Sequence, residues 1–187
     1  MVAAAYFRPF TALAAALLLT LTVLTGCDKD VVLKTLNVRL DTNLTMHVNA
    51  GDPLAATYTQ VLDPDSTADM RDNRAKIKKI VIDRLSYRVT DFEGAAGITG
   101  GGTWKVYPAD APTQVTTLRT VSGLDFTALE AAGTETDLPI SEAAKTALSG
   151  MINDRKKLVF VFEGTVSDSP AHTRFRLHLF TKIDVGV

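Results

Sequence analysis

Cysteine is almost missing from this sequence: Cys27 is the single one in 187 residues. A lone thiol excludes a disulfide framework, a C-x-x-C redox pair and a cysteine-rich zinc site. Histidine is nearly as scarce. His47, His172 and His178 are the only three, and no H-x-H or H-E-x-x-H spacing occurs among them. A zinc site of the familiar kinds therefore has no ligand set to draw on. Net charge is lacking as well, with 20 Lys+Arg against 21 Asp+Glu for a formal charge of -1. Such balance gives no general attraction to nucleic acid or to an acidic membrane surface. Catalytic motifs are missing too. Ser122 sits in Thr-Val-Ser-Gly-Leu rather than G-x-S-x-G. The glycines from Gly94 to Gly102 fit neither G-x-G-x-x-G nor G-x-x-x-x-G-K-[ST], because Thr103 stands where the phosphate-binding lysine belongs. They read as a flexible turn. A protein without enzymatic activity and without a cofactor is the expectation.

What the sequence does have is an apolar opening. Arg8 is the one charged side chain before Asp28, and Phe10 to Leu24 is an Ala/Leu-rich run of about 15 residues. That is the length of a signal-peptide hydrophobic segment and short of the roughly 20 residues that span a bilayer. The run closes on Leu24-Thr25-Gly26-Cys27. This tetrapeptide resembles the lipobox of bacterial lipoproteins: an aliphatic residue, a small residue, Gly or Ala, then Cys. The resemblance implies that signal peptidase II cuts between Gly26 and Cys27 and that Cys27 carries a thioether-linked diacylglycerol. It also implies further acylation of the new amino terminus. Small residues at Thr25 and Gly26 let the peptidase reach the backbone, and only a thiol can form the thioether. Two or three acyl chains anchor a protein stably where one does not.

The expected organisation is a lipoprotein signal peptide over 1–26, the lipidated Cys and a short tether over 27–30, and a single domain over 31–187. Asp28-Lys29-Asp30 has two readings under the same resemblance. Asp directly after the lipidated Cys retains lipoproteins in the enterobacterial inner membrane; an acidic stretch there resembles a surface-export signal of the Bacteroidetes. Export and lipid anchoring to a bacterial membrane, the outer one for preference, are expected, with the face left open. About three polar residues precede the first strand, a reach near 10 Å, so the domain is expected close to the membrane.

From Val31 the pattern turns to period two. Leu36, Val38 and Leu40, then Leu44, Met46 and Val48, alternate with polar residues, with Asp41-Thr42-Asn43 either a turn or a kink. Ala55 to Val61 is a weaker strand. Ile77, Ile80 and Ile82 start an apolar row that Leu85, Tyr87 and Val89 resume one residue out of phase, which predicts a β-bulge near Asp83-Arg84. Thr103 to Tyr107 and Val115 to Val121 read as strands around the Pro108–Pro112 turn. A helical insert over about 125–152 follows. Asp125 caps a turn closed by Gly133, then a helix from Ser141 to Ile152 carries Ile140, Ala144, Leu148, Met151 and Ile152 on one stripe. This insert is expected to cap an open end of the domain.

Leu158 to Phe162 is apolar on both faces, as suits a central strand covered on its second side. The loop Ser167–His172 is expected to join it, as a hairpin, to a last strand through Phe175, Leu177, Leu179, Ile183 and Val185. Seven or eight strands with one helical insert predict a mainly β fold: a two-sheet β-sandwich, immunoglobulin-like in architecture.

Candidate sites on this domain are few. Asp63, Asp65, Asp69 and Asp72 share one loop and could offer hard oxygens to calcium, but an EF-hand frame starting at Asp63 puts Ala68 at the turn glycine and Arg74 at the bidentate Glu. A solvated loop is the better reading. Trp104, Phe92 and Tyr107 lie around the glycine-rich segment and could stack on sugar rings. Against that, Tyr87 and Tyr107 stand at core phase, which favours a packed aromatic cluster. His47 and His178 point outward as surface histidines. Arg174, Arg176, His178 and Lys182 line one strand face, where they could meet phosphate or an acidic partner; the plainer reading is the wet face of an edge strand. The functional expectation is a binding or structural-interaction module facing an envelope protein or a glycan. The alternative is capture of a glycan or small ligand for an uptake system.

Overall fold

The computed structural model describes residues 32–186, which form one compact unit. Gly26, Cys27, the signal segment and the tether lie outside the described residues. In chain order the elements are β1 (Val32–Val48), β2 (Ala55–Leu62), a 3-10 turn (Pro64–Ser66), α1 (Ala68–Asp72), β3 (Ile77–Gly94), β4 (Thr99–Pro108) and β5 (Thr116–Asp125). Then follow α2 (Phe126–Ala132), β6 (Thr136–Asp137), α3 (Glu142–Asn153), β7 (Leu158–Val166) and β8 (Ala171–Gly186). The strands make two antiparallel four-stranded sheets: sheet A in the order β1-β8-β3-β6 and sheet B in the order β2-β7-β4-β5.

The protein is thus a two-sheet β-sandwich, mainly β with few helices. Its connectivity is not immunoglobulin-like. That fold seats its first two strands side by side in one sheet, whereas here β1 pairs with β8 and β2 lies in the other sheet. The nested pairs β1·β8, β2·β7, β3·β6 and β4·β5 are one long hairpin rolled over itself, which is jelly-roll order. Alternation cannot separate the two folds, because both sandwiches bury every second side chain.

Local readings fare better, with one exception. Asp41-Thr42-Asn43 neither turns nor kinks: β1 keeps unbroken register with β8 from Lys34↔Val185 to Val48↔Ala171. The phase slip in β3 is a bulge, with the β8 register shifting between Ile82 and Arg84. It returns Leu85, Tyr87 and Val89 to the core beside Ile80 and Ile82. Asp125 accepts the Ala128 N–H at 2.9 Å to start α2, and Gly133 ends it in the left-handed region at φ +61°. Ser141 caps α3 by accepting the Ala144 N–H at 3.2 Å.

Three expectations about connections are corrected. The loop after β7 is no hairpin, since β7 belongs to sheet B and β8 to sheet A; residues 167–170 cross between the sheets. Gly100, Gly101 and Gly102 are not a flexible turn but part of β4, where atoms of β5, β7 and Phe126 leave no room for a Cβ. The helical insert closes a side rather than an open end. β6 extends sheet A by pairing with Ser86 and Tyr87 of β3, and α3 packs along β3 and reaches β5 of the other sheet. As for β7, it is central, with Leu158, Phe160 and Phe162 in the core. Val159 and Val161 point away from the core, yet are only 8% and 6% exposed. In register they lie between Val61 and Tyr107 and between Thr59 and Lys105, so residues of their own sheet flank them.

The seal on β3 makes a prediction. Beyond β6, the free edge of β3 is satisfied by side chains of α3. Asn153 accepts the Ile80 N–H at 2.8 Å and donates to the Ile80 carbonyl at 3.0 Å, while Ser149 accepts the Ile82 N–H at 3.0 Å. One amide side chain does the work of a missing strand. Asn153→Ala leaves both Ile80 groups without partners in a part-buried place, at about 2 kcal/mol. Urea unfolding checks this: the midpoint should fall with an unchanged slope, and Ser149→Ala, losing one bond, should cost about half as much.

Candidate binding face

The outward side of sheet A carries the most organised polar surface. β8 runs down its centre, between β1 and β3, so the row of Arg174, Arg176, His178 and Lys182 is not on an edge strand. Register sets Phe180, His178, Arg176 and Arg174 of β8 into cross-strand lines: Arg39–Phe180–Arg84, Asp41–His178–Ser86, Asn43–Arg176–Arg88 and Thr45–Arg174–Thr90. The bulge at Asp83 decides this. Without it Leu85 would face out and Arg84 and Ser86 would be driven into the core.

Glu135, just ahead of β6, gathers the first two lines into one network. Its carboxylate accepts the Ser86 hydroxyl at 3.1 Å and lies 3.7 Å from His178 Nε2. Arg84 reaches it at 3.6 Å and Arg39 at 3.9 Å. On the other ring nitrogen, His178 Nδ1 meets Asp41 Oδ1 at 2.8 Å, and Arg39 binds the same oxygen at 3.0 Å. Arg84 also bonds Asp137 at 3.1 Å, and its guanidinium sits 4.1 Å over the Phe180 ring. A solvent-exposed ion pair alone contributes about 0–1 kcal/mol. Sharing two carboxylates among His178 and two arginines lowers the ordering cost of each contact relative to isolated pairs. His178 is therefore no free surface histidine: it is buried, with both ring nitrogens facing carboxylates.

Asp41, His178 and Ser86 have the composition of a nucleophilic triad without its geometry. Ser86 is 0% exposed and its hydroxyl is bonded to Glu135, so no incoming group reaches Oγ. The arrangement is suited to presenting donors and acceptors at fixed positions.

The next line is different. Arg88 and Arg176 stand directly opposite one another, with Asn43 on the far side of Arg176. Among the described residues neither arginine has an ion-pair partner, and the buried Nε of Arg88 has no hydrogen-bond partner. Farther along, Arg174 binds Asp91 at 2.8 Å, and the rings of His47 and His172 stack at 3.5 Å. His47 thus meets His172, not His178.

The sequence-derived candidates are placed otherwise. Trp104 is 0% exposed, at the centre of the sandwich, and is not a ligand platform. Tyr107 lies on the opposite face of β4, outward and half-buried beside Val159, so it is not at core phase. Phe92 packs 5.6 Å from Phe126 against the core. These three rings therefore form no common surface. Tyr87 does join the core, edge-on to Phe175 at 5.9 Å.

The aspartate loop is occupied with its own structure. Asp63 caps the 3-10 turn and pairs with Lys157 at 3.0 Å, and that hydrogen-bonded ammonium holds its carboxyl below the ordinary carboxylate range. Asp65 pairs with Arg74 at 3.2 Å and Asp72 with Arg71 at 3.7 Å, while Asp69 lies in the first turn of α1. Among the described residues no three His, Cys, Asp or Glu side chains converge on a point where a metal could sit. No helix among them is long and apolar enough to cross a membrane.

Glu135, Asp41, Ser86 and Arg88 escaped the sequence reading. Ser86 and Arg88 had a signal, because placing the bulge at Asp83 turns both onto the same face as His178. Glu135 had none, since it lies in a connection without periodicity.

No protein-family model and no curated protein matches the chain. Among solved structures it is similar to a chain of Desmodium yellow mottle tymovirus, at 7% identity and a TM-score of 0.33 over 82% of this chain and 84% of that one. A likeness at that score carries no functional argument, and the fold rests on the strand order itself.

Proposed function

We propose that this chain is a lipid-anchored protein of the bacterial envelope whose jelly-roll domain is a non-enzymatic binding or interaction module, with the outer face of sheet A as its working surface. The anchoring rests on Leu24-Thr25-Gly26-Cys27. The binding role is supported by one observation: the Glu135 network gathers charged side chains on one sheet face, next to Arg88 and Arg176, which have no ion-pair partner among the described residues. Fixed donors and acceptors cost little further entropy when a partner docks. Capture of a glycan or small ligand for uptake remains the second reading, and it now falls to this same face, because Trp104 is buried.

Radiolabelled palmitate feeding with protease shaving of intact cells tests the address. The wild-type chain should take up label and stay with membranes, while Cys27→Ser should be unlabelled and released. A Cys27→Ser chain that stays membrane-bound would overturn lipid anchoring. Cleavage from outside would favour capture at the cell surface; protection until the outer membrane is opened would favour an interaction role in the periplasm.

A further inference from the structure

We infer that two copies of this chain pair β1 against β1, joining their four-stranded sheets A into one continuous sheet with a two-fold axis at Leu40. The pairing involves the domain alone and does not depend on the anchor at Cys27. The opposite edge of sheet A is closed by β6 and by the side chains of Asn153 and Ser149. The β5 edge of sheet B is blunted by two breaks in its register with β4. β1 has neither device. It is 17 residues long, has no proline, and pairs with β8 unbroken from Lys34 to Val48. A long, regular edge is a template for a further strand.

The direction of the backbone groups follows from α3. Ile80 and Ile82 turn theirs to Asn153 and Ser149, so their register partners Ile183 and Thr181 turn toward Leu36 and Val38 of β1. Alternation then sends N–H and C=O of Asn37, Arg39, Asp41, Asn43 and Thr45 to the open side. The side chains of all five are exposed. These residues select both the occupant and the register. About an axis at Leu40, Arg39 comes opposite the partner's Asp41, Asn37 opposite the partner's Asn43, and Thr35 opposite the partner's Thr45. Opposite charges in facing positions favour an antiparallel pair and like charges oppose it. Arg39 and Asp41 already touch within one chain, at 3.0 Å, so two copies close a ring of alternating charges. A slip of one pair either way sets Arg39 against the partner's Arg39, or Asp41 against the partner's Asp41. The favoured register also uses the whole strand, because Leu40 is the midpoint of Val32–Val48. β2, the edge strand of sheet B beside β1, carries no charged side chain to repel its copy. The axis is normal to the sheet, so both copies start β1 at equal depth along it and both can be anchored in one bilayer.

The test is pulsed dipolar electron spin resonance on the full chain in bilayers, with one nitroxide on Thr35→Cys or on Thr45→Cys. The parent chain, whose single thiol is Cys27, is the blank. Thr35 and Thr45 lie equally far from Leu40, so both labels should report the same distance, about 33 Å between backbones. Unequal distances mean another register and no resolved distance means no pair; either overturns the inference. Arg39→Glu and Asp41→Lys should each reduce the paired fraction about tenfold, since each puts like charges opposite at both ends of the ring. Mixing the two variants should restore pairing, because the exchanged charges then face each other. A paired fraction that neither substitution changes also overturns the inference. Thermal melts confirm that the variants fold, and the two label distances decide the matter if one does not. Failure of the pairing leaves the anchored module standing, since the Cys27→Ser experiment is read separately.

Discussion

Gly102→Ala is expected to remove about 3 kcal/mol or more of stability, a large part of the 5–15 kcal/mol that holds a typical domain together. Gly102 lies in β4 between β7 and β5, opposite Gly164 and Val121. A Cβ built there falls 2.4 Å from the carbonyl oxygen of Glu163 and 2.7 Å from the ring of Phe162. The carbonyl belongs to the neighbouring central strand and cannot retreat without loosening the β4·β7 ladder. Nor can the ring, which is fully buried and packed 4.6 Å from Trp104. Gly150 is the internal control. It lies inside α3 with no atom within 4 Å of its would-be Cβ. Gly150→Ala should therefore be neutral or stabilising by up to about 1 kcal/mol, through helix propensity alone. Thermal melts of the two variants should move in opposite directions, or at least differ widely. A Gly102→Ala protein that melts with the wild type would mean β4 and β7 are not packed this closely.

The same glycines show why part of this fold could be read from the chain and part could not. Features set by a few neighbours in sequence were legible: the alternation in β1, the bulge at Asp83, the Asp125 and Ser141 caps, and the Gly133 stop. Features set by distant partners were not. Gly100–Gly102 has the composition of a turn, and only the rings of Phe126 and Phe162 reveal that it is a strand kept bare for close packing. Val106 and Tyr107 are adjacent apolar residues, so phase within β4 was ambiguous until Val159 was found opposite Tyr107. A two-residue strand such as β6 is too short to have a period. Strand order carries the same difficulty at larger scale, since immunoglobulin-like and jelly-roll sandwiches differ only in which distant strands pair. The candidate face inherits that limit. Alternation alone put His178 beside Arg174 and Arg176, but its Asp41 partner is 137 residues away, and no local pattern announces a contact at that separation.

Trp104→Ala is the other change with a large expected effect. Trp104 belongs to sheet B, yet it stands 4.6 Å from Phe162 of its own sheet and 5.3 Å, edge-on, from Phe175 of sheet A, with Tyr87 of sheet A at 6.5 Å. It is a rivet between the two layers, and truncation empties the middle of the core. Such a loss costs about 3–5 kcal/mol, which for a domain of this size corresponds to a fall in melting temperature on the order of 10 °C. Trp104→Phe should cost much less. It keeps an aromatic ring in contact with both sheets and removes an indole N–H that is buried without a partner. The wild-type emission gives a second readout that stability alone does not, because Trp104 is the only tryptophan in the chain. Its spectrum should be blue-shifted and resistant to acrylamide quenching. It should stay unchanged when polysaccharide is added, whether or not polysaccharide binds, because the polar face lies on the outer side of sheet A. An emission like that of indole in water would contradict the packing of the two sheets around it. A blue-shifted emission that responds to a glycan, with the response lost in a folded Trp104→Phe protein, would return the binding site to the core aromatics and away from Arg88 and Arg176.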